Sequence, residues 1–223
     1  MKILIVGFQR SGTTLLRRLF HLHPEVQRMF HEVFLLKTNS THQKLNEFIK
    51  SKKLDINKPW GEKVPFYPSA RRYPIIKYCN KWVEYFGDES RIIHIIRNPY
   101  DVAISNVKKF SHTKTVEQPL RIYKKIMIPA TDAIASIKTA TTIKYEDLLS
   151  NPDVVLSNLY EACQLTPDID YKKSMSKIEN PKYQTIDSSR LFSYKDSKTK
   201  FNVNMKEEIE YLNQFGISKY DLV

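Results

Sequence analysis

The sequence predicts an α/β fold in three layers, a central parallel β-sheet flanked by helices, and three observations carry that expectation. A β-branched apolar run at Lys2–Val6 passes through a Gly/Ser/Thr turn over Gly7–Thr14 into Leu15, Leu16, Leu19, Phe20 and Leu22, which fall at helical spacing. The run Arg91-Ile-Ile-His-Ile-Ile96 is almost unbroken in its apolarity, as suits a central strand covered on both faces. Strands then alternate with helices along most of the chain, the pattern of a parallel sheet. At 223 residues, 41% hydrophobic and 12% aromatic, the chain suits one domain over 1–223, whose core needs neither disulfides nor a structural metal.

His23-Pro24 ends the first helix, because the residue before a proline is pushed out of the α region. Val26–Phe30 reads as a short second strand, Val33–Lys53 as a polar helix running into the lysine-rich segment 52–59, and Trp60–Val64 as a strand or a loop. Ala70–Phe86 alternates apolar and polar residues as an amphipathic helix does. The strand at 91–96 ends in Arg97-Asn98-Pro99, and a helix resumes near Tyr100 with Asp101 in its first turn. A longer helix is expected over 117–138, a third strong strand over Thr141–Tyr145 and another helix over 146–163. Residues 166–204 are polar and weakly patterned, a long loop closed by a last helix near 205–213. A loop of that length inside a compact domain is usually functional or mobile.

Lys and Arg number 36 against 24 Asp and Glu, a net charge of +12 that attracts nucleic acid, anionic membranes or phosphorylated small molecules without choosing among them. No apolar run approaches the ~20 residues that cross a bilayer. The opening MKILIV is interrupted by Gly7 and Arg10 before it reaches the length of a signal core. A soluble, cytoplasmic protein is therefore expected. Cys79 and Cys163 lie far apart and outside any CxxC pattern, so neither a disulfide framework nor a zinc site is expected, and a reducing compartment is the default.

The segment Gly7-Phe8-Gln9-Arg10-Ser11-Gly12-Thr13-Thr14 has the frame of a phosphate-binding loop between strand and helix. Backbone N–H groups of such a loop, with the helix N-terminus it feeds, form a site for anionic oxygens. Both glycines and the final hydroxyl residue match the pattern GxxxxGK[ST], but Thr13 stands where the lysine belongs and the cation has moved forward to Arg10. Such a loop cradles a phosphate without requiring a triphosphate or a metal. A second anion site follows the strongest strand: Arg97 lies beyond its carboxyl end, where ligands of open α/β sheets sit, and Ser105 follows about two helical turns later. A guanidinium fork and a neutral hydroxyl suit one more phosphate. Two phosphate sites with no magnesium carboxylate between them point to a nucleotide phosphorylated at two places.

With these residues the sequence resembles the sulfotransferases that use 3′-phosphoadenosine 5′-phosphosulfate (PAPS) and release 3′-phosphoadenosine 5′-phosphate (PAP). The resemblance implies a P-loop nucleoside-triphosphate-hydrolase-like fold, with Arg10, Ser11, Gly12, Thr13 and Thr14 at the 5′-phosphosulfate and Arg97 and Ser105 at the 3′-phosphate. It is nearest to the carbohydrate and tyrosylprotein branches, which carry Arg in the first loop, and His23-Pro24-Glu25-Val26 is also like theirs. Trp60-Gly61-Glu62-Lys63-Val64-Pro65 is similar to the family's Lys-x-Pro segment, which implies that Lys63 approaches the transferred group. Lys144-Tyr145-Glu146-Asp147-Leu148 is similar to its YEDL segment, which implies that Tyr145 lies near the nucleotide. The four segments span residues 2–152 in the family's order, and the C-terminal third carries no matched residue.

Sulfuryl transfer builds negative charge on the bridging and leaving oxygens, for which Arg10, Lys63 and the loop N–H groups are the candidate stabilisers. The acceptor must lose a proton to a base within hydrogen-bond reach. His31-Glu32 offers both common choices; Glu32 is preferred because the carbohydrate and protein branches use a carboxylate, and His31 is the alternative. Lys108 and Lys109 read as a solvated face or as support for the 3′-phosphate, and Ser188, Ser189 and Arg190 lie in the late loop, where the family often closes over the nucleotide. Trp60 and Phe66 read as core aromatics or as adenine neighbours, and His94 as a hydrogen-bonded core histidine. Two rivals stand beside this reading. A P-loop nucleotide kinase would place a lysine in the first loop, and a nucleic-acid-binding protein would interleave its basic residues with aromatics on one face. The sequence has Thr13 in the first case and scattered lysines in the second, so no nucleic-acid partner is expected. The acceptor stays open among small molecules, carbohydrates and tyrosine-containing chains, as does the oligomeric state.

Overall fold

The computed structural model describes residues 1–36, 42–66, 75–111, 113–167, 169–176, 185–186 and 191–221. Five strands, β1 (Lys2–Phe8), β2 (Arg28–His31), β3 (Trp60–Phe66), β4 (Ser90–Ile96) and β5 (Ala140–Lys144), form one sheet in the order β2-β3-β1-β4-β5. Every neighbouring pair is parallel. Because side chains alternate along β1, Ile3 and Ile5 pack against one helical layer while Leu4, Val6 and Phe8 pack against the other. The first layer holds α1 (Thr13–His21) and α7 (Pro152–Ala162), through Leu16, Leu19 and Phe20 against Leu156, Leu159 and Tyr160. The second holds α3 (Ile75–Phe86), α4 (Pro99–Lys109), α5 (Glu117–Ala135) and α9 (Lys206–Leu212), through Trp82, Val102, Tyr123 and Leu212. The chain thus leaves β1 through one layer and β4 through the other. Their boundary, between β1 and β4, is the place where the strand order reverses, and in open α/β sheets ligands bind beyond the carboxyl ends at such a point.

Several expected elements differ in extent. Of the helix expected over 33–53, only α2 (His42–Ser51) is helical; residues 33–36 turn instead, and 37–41 lie outside the described residues. The turn begins at Glu32 (φ 56°) and Phe34 (φ 54°), left-handed positions that no helix accommodates. The expected helix at 70–86 is described from Ile75. A single helix over 146–163 is replaced by α6 (Tyr145–Ser150) and α7, because Asn151 adopts an extended φ of −134° and Pro152 opens the next helix. The long loop after 166 contains α8 (Tyr171–Ser176), and Trp60–Phe66 is a full strand in register with β1.

His94 is a core residue but not a hydrogen-bonded one. It is fully buried, stacks on Phe66 with centroids 5.8 Å apart, and neither ring nitrogen has a partner among the described residues. Burial pushes its pKa down to about 3, so it stays neutral. Trp60 and Phe66 are likewise core: Trp60 packs edge-on against Phe30, Trp82 and Phe86 at the start of β3, away from the carboxyl ends. Among the described residues no helix is long and apolar enough to cross a membrane.

Candidate active site

The loop after β1 is shaped by two glycines. A Cβ on Gly7 would stand 2.4 Å from the Ile95 carbonyl oxygen, so only glycine lets β1 and β4 stay in register there. Gly12 takes φ 97° as the cap of α1, and the Tyr145 ring lies where its Cβ would be. The first helical hydrogen bond runs from Leu16 N to Gly12 O at 3.1 Å. The N–H groups of the turn before it are the ones a helix N-terminus offers to anions. Ser11 is fully buried and its Oγ has no hydrogen-bond partner among the described residues; Thr13 is also buried and Thr14 half-buried. Arg10, exposed and itself left-handed at φ 73°, donates from Nε to Ser105 Oγ at 2.9 Å.

That bond joins the two predicted anion motifs. Arg97, just beyond β4, donates to the Arg10 carbonyl at 3.1 Å and lays its guanidinium over the Tyr145 ring at 4.5 Å. Asp101, one helical turn on, lies 3.9 Å from the same guanidinium and accepts from Ser193 Oγ (2.6 Å) and Tyr194 N (2.9 Å). Burial raises the Asp101 carboxyl, and Arg97 works against that rise. Asn98 caps α4 by accepting from Tyr100 N at 2.9 Å, and Pro99 occupies the first helical turn, so the Arg-Asn-Pro sequence is the start signal that aims Arg97. Lys108 and Lys109 end α4 exposed to solvent. Ser188, Ser189 and Arg190 lie outside the described residues.

The base candidates and Lys63 sit on the β2–β3 side. In the parallel register His31 pairs with Lys63, which pairs with Ile5 on the α1 face. Residue 32 of a continuing strand would point to the opposite face; the left-handed turn at Glu32 brings its carboxylate back to the Lys63 ammonium instead, in a short hydrogen-bonded ion pair. Glu32 N donates to the Lys63 carbonyl at 3.0 Å, and His31 Nε2 is 3.7 Å from the same carboxylate. Lys63 is buried, with its pKa lowered by desolvation and partly restored by Glu32; that of His31 is lowered by burial and by Lys63, which keeps the ring neutral near pH 7. Arg17 of α1 donates to the Met29 carbonyl at 2.8 Å and adds positive potential at both Lys63 and His31.

Sequence reasoning missed the supports. Glu146 accepts from Asn98 N (3.0 Å) and from Tyr220 Oη (2.8 Å); Asp147 accepts from Ile217 N and Ser218 N; Lys144 donates to Ser218 O. Only Tyr145 of that four-residue run faces the loop, and its neighbours bolt the C-terminal segment to the sheet. Glu25 accepts from Thr166 N at 3.1 Å, so His23-Pro24-Glu25 is an anchor for the segment after α7. The sequence shows Glu146 and Asp147 side by side directly after β5, but not the identity of their partners. Among the described residues no three His, Cys, Asp or Glu side chains cluster as a metal site would require.

Residues 1–212 match the family described as sulfotransferase domain. Among solved structures the chain is similar to the sulfotransferase domain from the curacin biosynthetic pathway, at 18% identity and a TM-score of 0.64, over 97% of this chain and 98% of that one. It is also similar to the sulfotransferase domain from the Synechococcus PCC 7002 olefin synthase, at 17% identity and a TM-score of 0.61, over 95% and 93% of the two chains. A mouse sulfotransferase complexed with PAP matches at 15% identity and a TM-score of 0.55, over 96% of this chain and 82% of that one. No curated protein matches the chain. At these identities the structural matches establish the fold, and the family match covers the site.

Proposed function

Because the chain belongs to the sulfotransferase domain family, we propose that it transfers a sulfuryl group from PAPS to a hydroxyl or amine acceptor, with Glu32 as the general base. One observation carries this reading: the Arg10–Ser105 hydrogen bond, which closes 95 residues of sequence and brings the two anion motifs into a single crevice. The residues fit a nucleotide with two anionic ends. The buried Ser11 Oγ, unpartnered among the described residues, Thr13, Thr14 and the N–H groups around Gly12 suit the 5′ end, while Arg97 and Ser105 suit the 3′-phosphate. Tyr145 holds both the loop and the Arg97 guanidinium, so its part is to fix the distance between the two ends.

When bound, the donor supplies the SO₃ group and the phosphate oxygen that leaves. Arg10 and Lys63 present fixed positive charge, worth more as charge develops than at rest. Glu32 takes the acceptor proton; it is more enclosed than His31, with 22% of its side chain exposed against 52%, and Lys63 holds its carboxylate in place. His31 stays a neutral hydrogen-bonding neighbour. The acceptor belongs to the small-molecule, carbohydrate or tyrosine class.

Titration calorimetry without added magnesium tests the donor assignment, comparing adenosine 3′,5′-bisphosphate with ADP and ATP. Selective binding of the bisphosphate is expected. A preference for ATP, or binding unaffected by loss of the Arg97 side chain, would refute it.

A further inference from the structure

We propose that Glu62 and Tyr78 are positioning residues, a buried clamp that holds the turn after β2 so that the Glu32 carboxylate lies against Lys63 and His31. The catalytic meaning of the clamp rests on Glu32 being the base. Its geometry stands on three consecutive backbone donors. Glu62 accepts from Phe34 N (3.0 Å) and Leu35 N (3.2 Å), while Tyr78 Oη of α3 accepts from Leu36 N (3.1 Å) and donates to Glu62 in a short hydrogen bond.

The placement is costly for an ordinary core position. Glu62 is fully buried on the β3 face that otherwise carries Trp60, Val64 and Phe66, where an apolar side chain would meet no desolvation penalty. Burial raises its pKa to about 7, against the lowering effect of its three donors, Tyr78 Oη, Leu35 N and Phe34 N. What the carboxylate accomplishes there is local. The backbone leaves β2 through two left-handed residues, Glu32 and Phe34, a conformation that persists only where its surroundings determine it. The three anchored N–H groups of residues 34–36 supply that determination.

Consecutive residues of β3 therefore grip the turn from opposite faces of the sheet. Lys63 takes the Glu32 side chain on the α1 face and offers its carbonyl to Glu32 N, while Glu62 takes the N–H groups of 34 and 35 on the α3 face. Release of the second grip would let residue 32 revert toward the extended geometry and turn its carboxylate away from Lys63.

The test uses Glu62→Gln and the milder Tyr78→Phe beside Glu32→Gln, in the full chain. The His31 titration is followed by NMR, since the adjacent Glu32 carboxylate raises the His31 pKa. Binding of adenosine 3′,5′-bisphosphate serves as the control for overall folding. Both clamp variants should lower the His31 midpoint toward that of Glu32→Gln, with bisphosphate Kd within about twofold of wild type, and Tyr78→Phe should add nothing in the Glu32→Gln background. An unmoved His31 midpoint in both clamp variants, or a loss of bisphosphate binding in parallel with the shift, would overturn the clamp. Turnover is read separately with p-nitrophenol as acceptor probe. If Glu32→Gln keeps the wild-type rate while the clamp variants still shift His31, the base assignment has failed and the clamp has not.

Discussion

On the β1–β4 side the chain presents the proposed anion site, made largely of backbone, shaped by Gly7 and Gly12 and aimed by the cap at Asn98. On the β2–β3 side it presents ionisable side chains withdrawn from water: Lys63 is 2% exposed, Glu62 fully buried, and Glu32 held by both a left-handed backbone and an ion pair. The difference follows from what each side must do. On the proposed function, N–H groups and arginines receive a ligand whose charge is already present, and their own charge does not change. A proton acceptor must be poised, and poise comes from burial and neighbours, which are expensive and need rigid support.

The sharpest break between the two sides should come from Glu32→Gln. Turnover is expected to fall at least about a hundredfold, the usual contribution of a positioned base, while bisphosphate affinity stays unchanged. The same loss in His31→Asn with a normal Glu32→Gln would transfer the role to His31. The converse break is Arg97→Ala, which removes a charge-assisted contact worth about 1.5–3 kcal/mol and should weaken the bisphosphate by roughly 10- to 150-fold in calorimetry. Equal affinity in the variant would refute the donor assignment and leave Arg97 as a support for Tyr145 and the Arg10 carbonyl alone.

The two sides were also unequally legible in the sequence. The donor side rests on local requirements that residues state themselves: glycine where a Cβ cannot fit, asparagine and proline where a helix must start, a strand of isoleucines beneath them. The meeting of Gly7–Thr14 with Arg97–Ser105 follows once β1 and β4 lie side by side in the parallel sheet, although the order of the strands itself is not written in these residues. The acceptor side depends on partners distant in sequence. Nothing in Val33–Leu36 announces that its N–H groups are taken by Glu62 and Tyr78, so the turn reads as the beginning of a helix. The polar stretch 166–204 reads as loop for the same reason: residues 193–194 are held by Asp101, just as residues 217–220 beyond the last helix are held by Glu146 and Asp147.

A smaller effect distinguishes the sides by pH. The Glu62 pKa is raised from 4.5 to about 7 on folding, so between those values the unfolded chain ionises while the folded one holds its proton, and stability falls as pH rises. His94 acts in the opposite sense, because its pKa drops from 6.5 to about 3 and stability is lost as pH falls through that range. The Glu62 share is therefore read as the melting-temperature difference between wild type and Glu62→Gln. That difference should shrink by several degrees between pH 5 and pH 8. A constant difference would mean that the buried carboxyl does not titrate in this window.

The smallest expected effect concerns the support shared by the donor side and the C-terminal segment. The Tyr220 hydroxyl donates to one oxygen of Glu146 while Asn98 N donates to the other, and Asn98 in turn starts the helix that follows Arg97. Tyr220→Phe leaves the aromatic ring beneath the Lys144 ammonium and deletes only that donor. Burial already raises the Glu146 carboxyl, so the loss is met by a further rise in its pKa, and the cost should be about 1 kcal/mol. In a chain of this size that is roughly 2–4 °C in Tm. Bisphosphate Kd should change by no more than about threefold, because Asn98 keeps its bond to Glu146 and its cap on α4. A tenfold loss of affinity would instead mean that Arg97 is aimed through Tyr220, and that the donor side, for all its local construction, depends on the end of the chain.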